Sequence, residues 1–415
     1  MQQTDDNFIR VFTGSLWEKS LEEILREKAS YLVKMAVMDE FEVFIEKWSS
    51  LKDRSGKPLI VRNGYHKERS IMLSTGITRI KIPRVLDRRD ASEAGRLNFH
   101  SRLIPPYLRR VREIDEYIPY LYLKGISSGD FSQVLSRLLG QEVSLSATTV
   151  SRLKQKWESE YEEWSERDLS SKRYVYWWVD GIYFNIRMEQ ERNCLLVIMG
   201  AMADGKKELV SIAEGPRESE LSWRNILMKL KNQGLHHVPL LAVGDGALGF
   251  WRALEKEYPQ TVPQRCWVHK TANVLDKLPK SLQIEAKNKI YEIYQASSKA
   301  DALKAFDEFV VLFEAKYPKA VSCLLKDKSA TLAFYDFPAE HWRHIRSTNV
   351  IESTFATVRL RTDKTRGCLS RKTALSMVFK LAQAAEQTWQ RLHHYKLLAV
   401  VLEGGRFIDG VQKVA

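Results

Sequence analysis

The sequence predicts an α/β fold with a mixed sheet, interrupted by an all-helical insertion and preceded by helical domains. Three observations predict it. Between residues 171 and 277, strand-like and helix-like segments follow one another in the order β-β-β-α-β-α-β. From about Leu278 to Ala339 the composition turns Lys/Glu/Ala-rich with helical spacing, and a final helix starts near Thr348. Ahead of residue 171, apolar residues recur at helical intervals in blocks, several of them ended by glycine.

Taken in order, SLEEILREKASYLVKMAVMDEFEVFIEKW has apolar residues at helical spacing and no breaker, so the chain reads as helix up to about residue 50. SSLKDRSGKPLIVRNGYHKERS, rich in Gly, Ser and basic residues, leads into GITRIKIPRVL. There Thr78, Ile80 and Ile82 share one face, and Ile77, Arg79 and Lys81 the other. With its β-branched enrichment, this piece predicts a short strand stopped by Pro83. A basic, exposed connection runs on to Pro105 and Pro106. Three short helices follow: EIDEYIPYLYLKG, SSGDFSQVLSRLLG, and SLSATTVSRLKQKW with Ser146 as its N-cap. Their Gly-containing turns suit a helix-turn-helix module. A separate polar helix, SEYEEWSERDL, is expected next.

YVYWWVDGIYFNIR, NCLLVIMGAMADG and KELVSIAEG read as three strands joined by short polar turns. ESELSWRNILMKLKNQG is an amphipathic helix, VPLLAVGDG a buried strand ending in an aspartate, ALGFWRALEKEY a helix, and TVPQRCWVHK another short strand. This order is the ribonuclease-H-like arrangement, in which the first and fourth strands lie side by side at the centre of the sheet. The sheet is complete before Leu278, so the core is not expected to need the insertion in order to fold. The domains are then a helical one over 1–60, short strands and a basic connection over 61–112, and the helix-turn-helix over 113–170. The sheet domain begins over 171–277, the insertion fills 278–340, and closing helices occupy 341–415.

Charge narrows the function. Lys and Arg number 65 against 52 Asp and Glu, a net charge of +13 with a pI near 9.4. Arg79 to Arg112 holds 10 basic against 3 acidic residues, and His341 to Lys372 holds 8 against 2, so these two windows carry the whole surplus. A basic surface can serve solubility alone, but clustering of this kind is the footprint of a polyanion partner. Candidate DNA contacts are Arg109, Arg110 and Arg112, then Ser146, Thr149 and Arg152 on the third short helix, then Trp342, Arg343, Arg346 and Arg359. Trp342 would either stack on a base or pack the insertion against the core. The four cysteines show no paired CxxC and no disulfide framework. The start, MQQTDDNFIR, lacks the pattern of a signal peptide, and no apolar run approaches the roughly 20 residues of a membrane span. A reducing, cytoplasmic setting with no membrane contact is expected.

One residue resists the strand reading. Asp180 sits inside YVYWWVDGIYFNIR, where a buried carboxylate is costly unless paired or metal-bound. If the first and fourth strands adjoin, Asp180 meets Asp245 at the end of VPLLAVGDG. Two such carboxylates repel, and a divalent cation with a taste for hard oxygen, such as Mg²⁺, resolves the conflict. Glu352, in RSTNVIESTFATVRLR, is the candidate third ligand, with Arg359 about two turns along the same face. Three carboxylates holding two Mg²⁺ or Mn²⁺ ions are a device for in-line phosphoryl transfer. An Asp that ends a strand before Gly also serves as an ordinary turn or cap. Cys266 and His269 form CWVH, which falls short of a zinc site by two ligands and is expected to steady the strand end beneath Asp245.

VDGIYFNIR, VGDGALGFWRAL, RCWVHK and HWRHIRSTNVIES together resemble the bacterial Mutator-type insertion-sequence transposases of the DDE class, as do RNGYHKER and GITRIKIPR upstream. The resemblance spans roughly Leu51 to Trp389 and keeps the three acidic motifs in order. It implies Asp180, Asp245 and Glu352 as catalytic, metal-binding residues, and double-stranded DNA as partner, both terminal inverted repeats and target. It further implies a homodimer, assembled for copy-out transposition through a circular intermediate. Two other classes fit parts of the pattern: a metal-dependent nuclease that cuts without joining, and a DNA-binding regulator with a silent nuclease-like domain. The acidic triad argues against the regulator.

Overall fold

A computed structural model describes residues 19–89, 95–112, 114, 121, 131–139, 147–184, 193–215, 218–246, 249–353, 355 and 371–413. The chain divides into two compact units, Met1–Ser151 and Arg152–Ala415.

In the first unit, helix α1 (Leu21–Lys47) opens on Ser20, whose side chain accepts from the Glu23 amide while the Glu23 side chain accepts from the Ser20 amide. Val37 turns inward onto Ile71, Ile80 and Ile104, and Phe41 meets Phe99 edge to face at 5.1 Å. Strand β1 (Ile60–Tyr65) pairs antiparallel with β4 (Pro83–Asp87), and β2 (Arg69–Leu73) with β3 (Gly76–Ile80). The alternation expected in β3 is present, with Thr78 and Ile80 buried and Arg79 exposed. Pro83 does more than stop that strand: it opens β4, where a proline's missing N–H is tolerated at the first position. The connection toward Pro106 is anchored instead of lying free. Glu40 of α1 accepts from the Ser101 hydroxyl and the Arg102 amide, and the Arg69 guanidinium donates to the carbonyls of Ile104, Pro105 and Pro106.

Asp87 accepts from the Arg89 guanidinium and from the Leu97 amide, and chiefly the Arg89 bond holds its carboxyl far below the usual carboxylate range. A folded pKa below the unfolded one means that this stabilisation is present above about pH 4 and is lost as the pH falls further. Asp87→Asn should therefore lower the melting temperature at pH 7, and the gap from wild type should close in acid, as scanning fluorimetry would read.

Of the expected helix-turn-helix, α2 (Phe131–Leu139) and α3 (Ala147–Ser165) are described; residues 115–120, 122–130 and 140–146, with Ser146, lie outside the described residues. The third short helix and the polar helix after it are one continuous element, because nothing between Lys156 and Glu160 interrupts helical spacing.

The second unit is built on β5 (Tyr174–Phe184), β6 (Asn193–Met202), β7 (Lys207–Gly215), β8 (Leu241–Gly244) and β9 (Val262–Arg265), in the order β7-β6-β5-β8-β9. The first three are antiparallel; β8 runs parallel to β5, and β9 parallel to β8. The first and fourth strands of this sheet thus adjoin at its centre, as expected. Helices α4 (Glu220–Asn232) and α5 (Phe250–Glu257) cover one face, where Trp177, Val179, Trp223, Leu227, Phe250 and Leu254 form the core. The intervening residues of β5 face the other way: the Tyr176 hydroxyl meets His341 Nδ1 at 2.9 Å, and Trp178 Nε1 donates to the His344 carbonyl at 2.9 Å. Burial on both faces explains why β5 reads as one apolar run.

TVPQRCWVHK does not stay a strand. It leaves the sheet after Arg265, Cys266 stands at the N-cap position of helix α6 (Trp267–Leu275), and His269 lies in that helix's first turn. The insertion follows with α7 (Gln283–Gln295), α8 (Lys299–Phe313) and α9 (Pro318–Leu325), before α10 (Trp342–Ile345) and the closing helices α11 (Arg371–Glu386) and α12 (Lys396–Leu402). The described sheet ends with β9, before Leu278, and the insertion covers that edge strand. Gln264 of β9 is fully buried, donating to the Thr331 carbonyl at 3.1 Å and accepting from the Phe334 amide at 2.8 Å. Lys270 of α6 reaches Asp327 at 3.0 Å. Among the described residues, no helix is long and apolar enough to cross a membrane.

Candidate active site

β5 and β8 pair in the register Tyr176↔Leu241, Trp177↔Ala242 and Trp178↔Val243. Two residues farther along each chain stand Asp180 and Asp245, so the pairing sets them level at one end of the sheet. Asp180 is buried at 9% exposure, and its Oδ1 accepts from the Gly181 amide at 2.9 Å. Asp245 Oδ1 accepts likewise from the Gly246 amide, and Trp251 Nε1 donates to the Asp245 carbonyl at 2.6 Å.

A further carboxylate, not foreseen from the sequence, joins the pair. The Glu218 side chain occupies the space that a Cβ on Gly181 would fill, so the glycine after Asp180 leaves room for this carboxylate beside the aspartate. Burial raises the Glu218 pKa, and the charges of Asp180 and Asp245 raise it further, so the three share one negative field. In the sequence Glu218 stands next to Ser219, the N-cap of α4, where an acidic residue reads as ordinary helix-start chemistry.

Glu352 lies in a helical stretch, 349–353, and Thr348 at its start is fully buried. The Thr348 hydroxyl donates to Glu352 Oε1 at 2.5 Å, and His269 Nε2 stands 3.9 Å from the same oxygen. Cys266, His269 and Glu352 offer ligand atoms within 4.8 Å of one another, so CWVH faces Glu352 as well as the strand end. The hydrogen bond to Cys266 pushes the His269 pKa up to about 9, against burial, and the charges of Cys266, Asp245 and Glu352 add to it. Burial works against a Cys266 thiolate, but bonds from His269 and Thr348 outweigh it and hold the thiol below its ordinary range. His269 thus lies beside both the sulfur and the Glu352 carboxylate. Thr348 was also missed, since a threonine at a helix start reads only as a cap.

The basic candidates are more scattered. In the first unit, the backbone of Arg109–Val111 adds to the edge of β2, with Met72 N to Arg109 O and Val111 N to Met72 O both at 2.9 Å, and leaves the Arg109 side chain exposed. Arg110 is half-buried and Arg112 exposed. Arg152 is exposed on α3; the Thr149 side chain and Arg359 lie outside the described residues. Arg343 is exposed and donates to His344. Arg346 is half-buried, donating to the Tyr294 carbonyl at 2.9 Å. Trp342 packs edge to face on Tyr335 and Phe334 at 4.8 and 5.3 Å, with its N–H on the Phe337 carbonyl at 2.8 Å, and keeps part of its ring at the surface.

Residues 6–392 match the family profile described as Transposase, Mutator family. The chain belongs to the Mutator family of transposases. Among curated relatives, the transposase for insertion sequence element IS6120 of Mycolicibacterium smegmatis is 49% identical over 297 residues, covering 72% of this chain and 92% of that protein. The transposase for IST2 of Acidithiobacillus ferrooxidans is 50% identical over 287 residues, 67% of this chain and 95% of that one. Both alignments take in nearly the whole length of those relatives. The solved catalytic domain of Mos1 mariner transposase matches at 15% identity over 45% of this chain and 97% of that chain, with a TM-score of 0.17, too low to argue from.

Proposed function

We propose that this Mutator-family chain is a DDE-class transposase. It would bind the terminal inverted repeats of its insertion sequence, nick DNA to free a 3′-hydroxyl, and join that end to another strand. The observation that carries this is Asp180 and Asp245 standing level on adjoining strands, with Glu352 3.9 Å from His269 in the helix whose preceding Cys266 bonds the Gly244 carbonyl. The sheet is read as a ribonuclease-H-like core.

The donor set fits a divalent cation: the ligands are hard carboxylate oxygens, and the repulsion that adds to burial in raising the Glu218 pKa is one that a cation relieves. Asp180, Asp245 and Glu352 would hold two Mg²⁺ or Mn²⁺ ions. Such ions, when bound, activate the attacking water or hydroxyl and stabilise the leaving oxygen. The chain's part is to fix the carboxylates: the β5–β8 ladder sets the aspartates, and Trp178 and Tyr176 anchor the segment that returns toward Glu352. Arg109, Arg112 and Arg343 would neutralise phosphates, and α3, as the recognition helix of a helix-turn-helix, would read the end sequence through Thr149 and Arg152. A homodimer and a copy-out route through a circular intermediate complete the reading, on family membership.

Incubating the purified chain with each end of its element and Mg²⁺, then sequencing the products, tests it. Joined products are expected; cut but never joined ends would favour the nuclease reading. End binding should weaken with salt by a slope of about −0.9 per phosphate contact. Replacing Arg109 and Arg112 by Ala should flatten that slope for every sequence alike, whereas Arg152→Ala should erase preference for the correct end. Equal loss on random DNA in the Arg152 variant would remove α3 from recognition.

A further inference from the structure

Cys266, Thr348 and His269 form a bonded bracket around Glu352. It starts at the sheet: the Cys266 amide donates to the Gly244 carbonyl at 2.9 Å, one residue before Asp245. The buried Cys266 sulfur accepts from the Thr348 amide at 3.3 Å and lies 3.2 Å from the Thr348 hydroxyl. That hydroxyl is also 2.5 Å from Glu352 Oε1 and 3.4 Å from His269 Nδ1. It has one proton to give, and a carboxylate at the shortest distance takes it. The hydroxyl oxygen and the sulfur are then left as acceptors for the imidazole and the Thr348 amide. Because Thr348 is fully buried, no bulk water can substitute for its hydroxyl. Glu352, unlike an aspartate set in a strand, carries a long side chain with several rotamers to lose, and one fixed donor selects among them.

We propose that Thr348 is the positioning residue for the Glu352 carboxylate, with Cys266 fixing Thr348 against the strand that ends in Asp245. The bracket thereby sets the distance between ligands that come from opposite ends of the insertion. This rests on Glu352 being a ligand of the proposed ions. A chain with a helical insertion between two ligands needs such a tie, because small displacements of the insertion would otherwise carry Glu352 away from the aspartates.

The test measures Mn²⁺ affinity of the full-length chain by the paramagnetic resonance of free Mn²⁺, beside the Mg²⁺ dependence of end cleavage and the melting temperature. Thr348→Val keeps the volume and removes the hydroxyl; Thr348→Ser keeps the hydroxyl. Thr348→Val should weaken Mn²⁺ binding on the order of 10- to 100-fold, the usual loss when a group that orients a metal ligand is removed. Thr348→Ser should stay near wild type. In a Glu352→Gln background, Thr348→Val should cost no further affinity, because the carboxylate it orients is gone. Undiminished affinity in Thr348→Val, an equal loss in Thr348→Ser, or the full loss in the Glu352→Gln background would each overturn the proposal. Absence of Mn²⁺ binding by the wild-type chain would overturn the ion reading along with it.

Discussion

Asp180→Asn, Asp245→Asn and Glu352→Gln should each abolish cleavage and joining of element ends while leaving end binding close to wild type. Each swap removes a charge that a divalent ion needs and almost no volume, so the fold has no packing reason to change. A rate loss on the order of 10³-fold or more, about 4 kcal/mol of transition-state stabilisation, is expected for each. Asp180→Asn carries a second expectation of opposite sign. Its charge helps to raise the Glu218 pKa, so the variant should bring that pKa down and leave the metal-free melting temperature unchanged or higher. The rise in melting temperature on adding Mg²⁺ should shrink, because stabilisation by a ligand that binds only the folded state follows its affinity. Near-wild-type joining by any one variant would remove that residue from the site. A metal-free destabilisation by Asp180→Asn would mean that its carboxylate is held by the fold and not merely tolerated by it.

How much of this was legible beforehand follows from the range of each interaction. Asp180 and Asp245 could be paired on paper because both lie in apolar strand segments, and strand order alone makes those strands neighbours. Glu218 could not, since what distinguishes it is the missing Cβ of Gly181, a contact between two segments that no periodicity links. Thr348 was hidden for the same reason: its partners Cys266 and His269 lie on the far side of the insertion. Local errors had local causes. A proline reads as a strand stop and here starts one, and a cysteine after a strand reads as more strand when it stands at the N-cap position of a helix.

Trp267→Ala should be among the most damaging single substitutions outside the acidic site, because Trp267 is the joint between the sheet and the insertion. It is buried at 2% exposure, with its ring centroid 5.3 Å from Tyr294 and 6.0 Å from Phe306, and its Nε1 donates to the Thr331 carbonyl at 2.8 Å. Truncating a buried tryptophan costs about 3–5 kcal/mol through lost burial and the cavity left behind. For a unit of this size each kcal/mol lowers the melting temperature by about 2–4 °C, so a fall on the order of 10 °C is expected. Activity should fall as well, because the Trp267 amide donates to the Arg346 carbonyl at 2.9 Å and Cys266 precedes it, so the joint and the Glu352 bracket share a backbone. Trp342→Ala offers the contrast. Its ring is only partly buried, so its melting temperature should fall less, and activity falling out of proportion would point to a contact with DNA. If Trp267→Ala instead left both melting and joining near wild type, the sheet would not depend on its insertion, and the bonds across Gln264 and Lys270 would be decoration on an independent core.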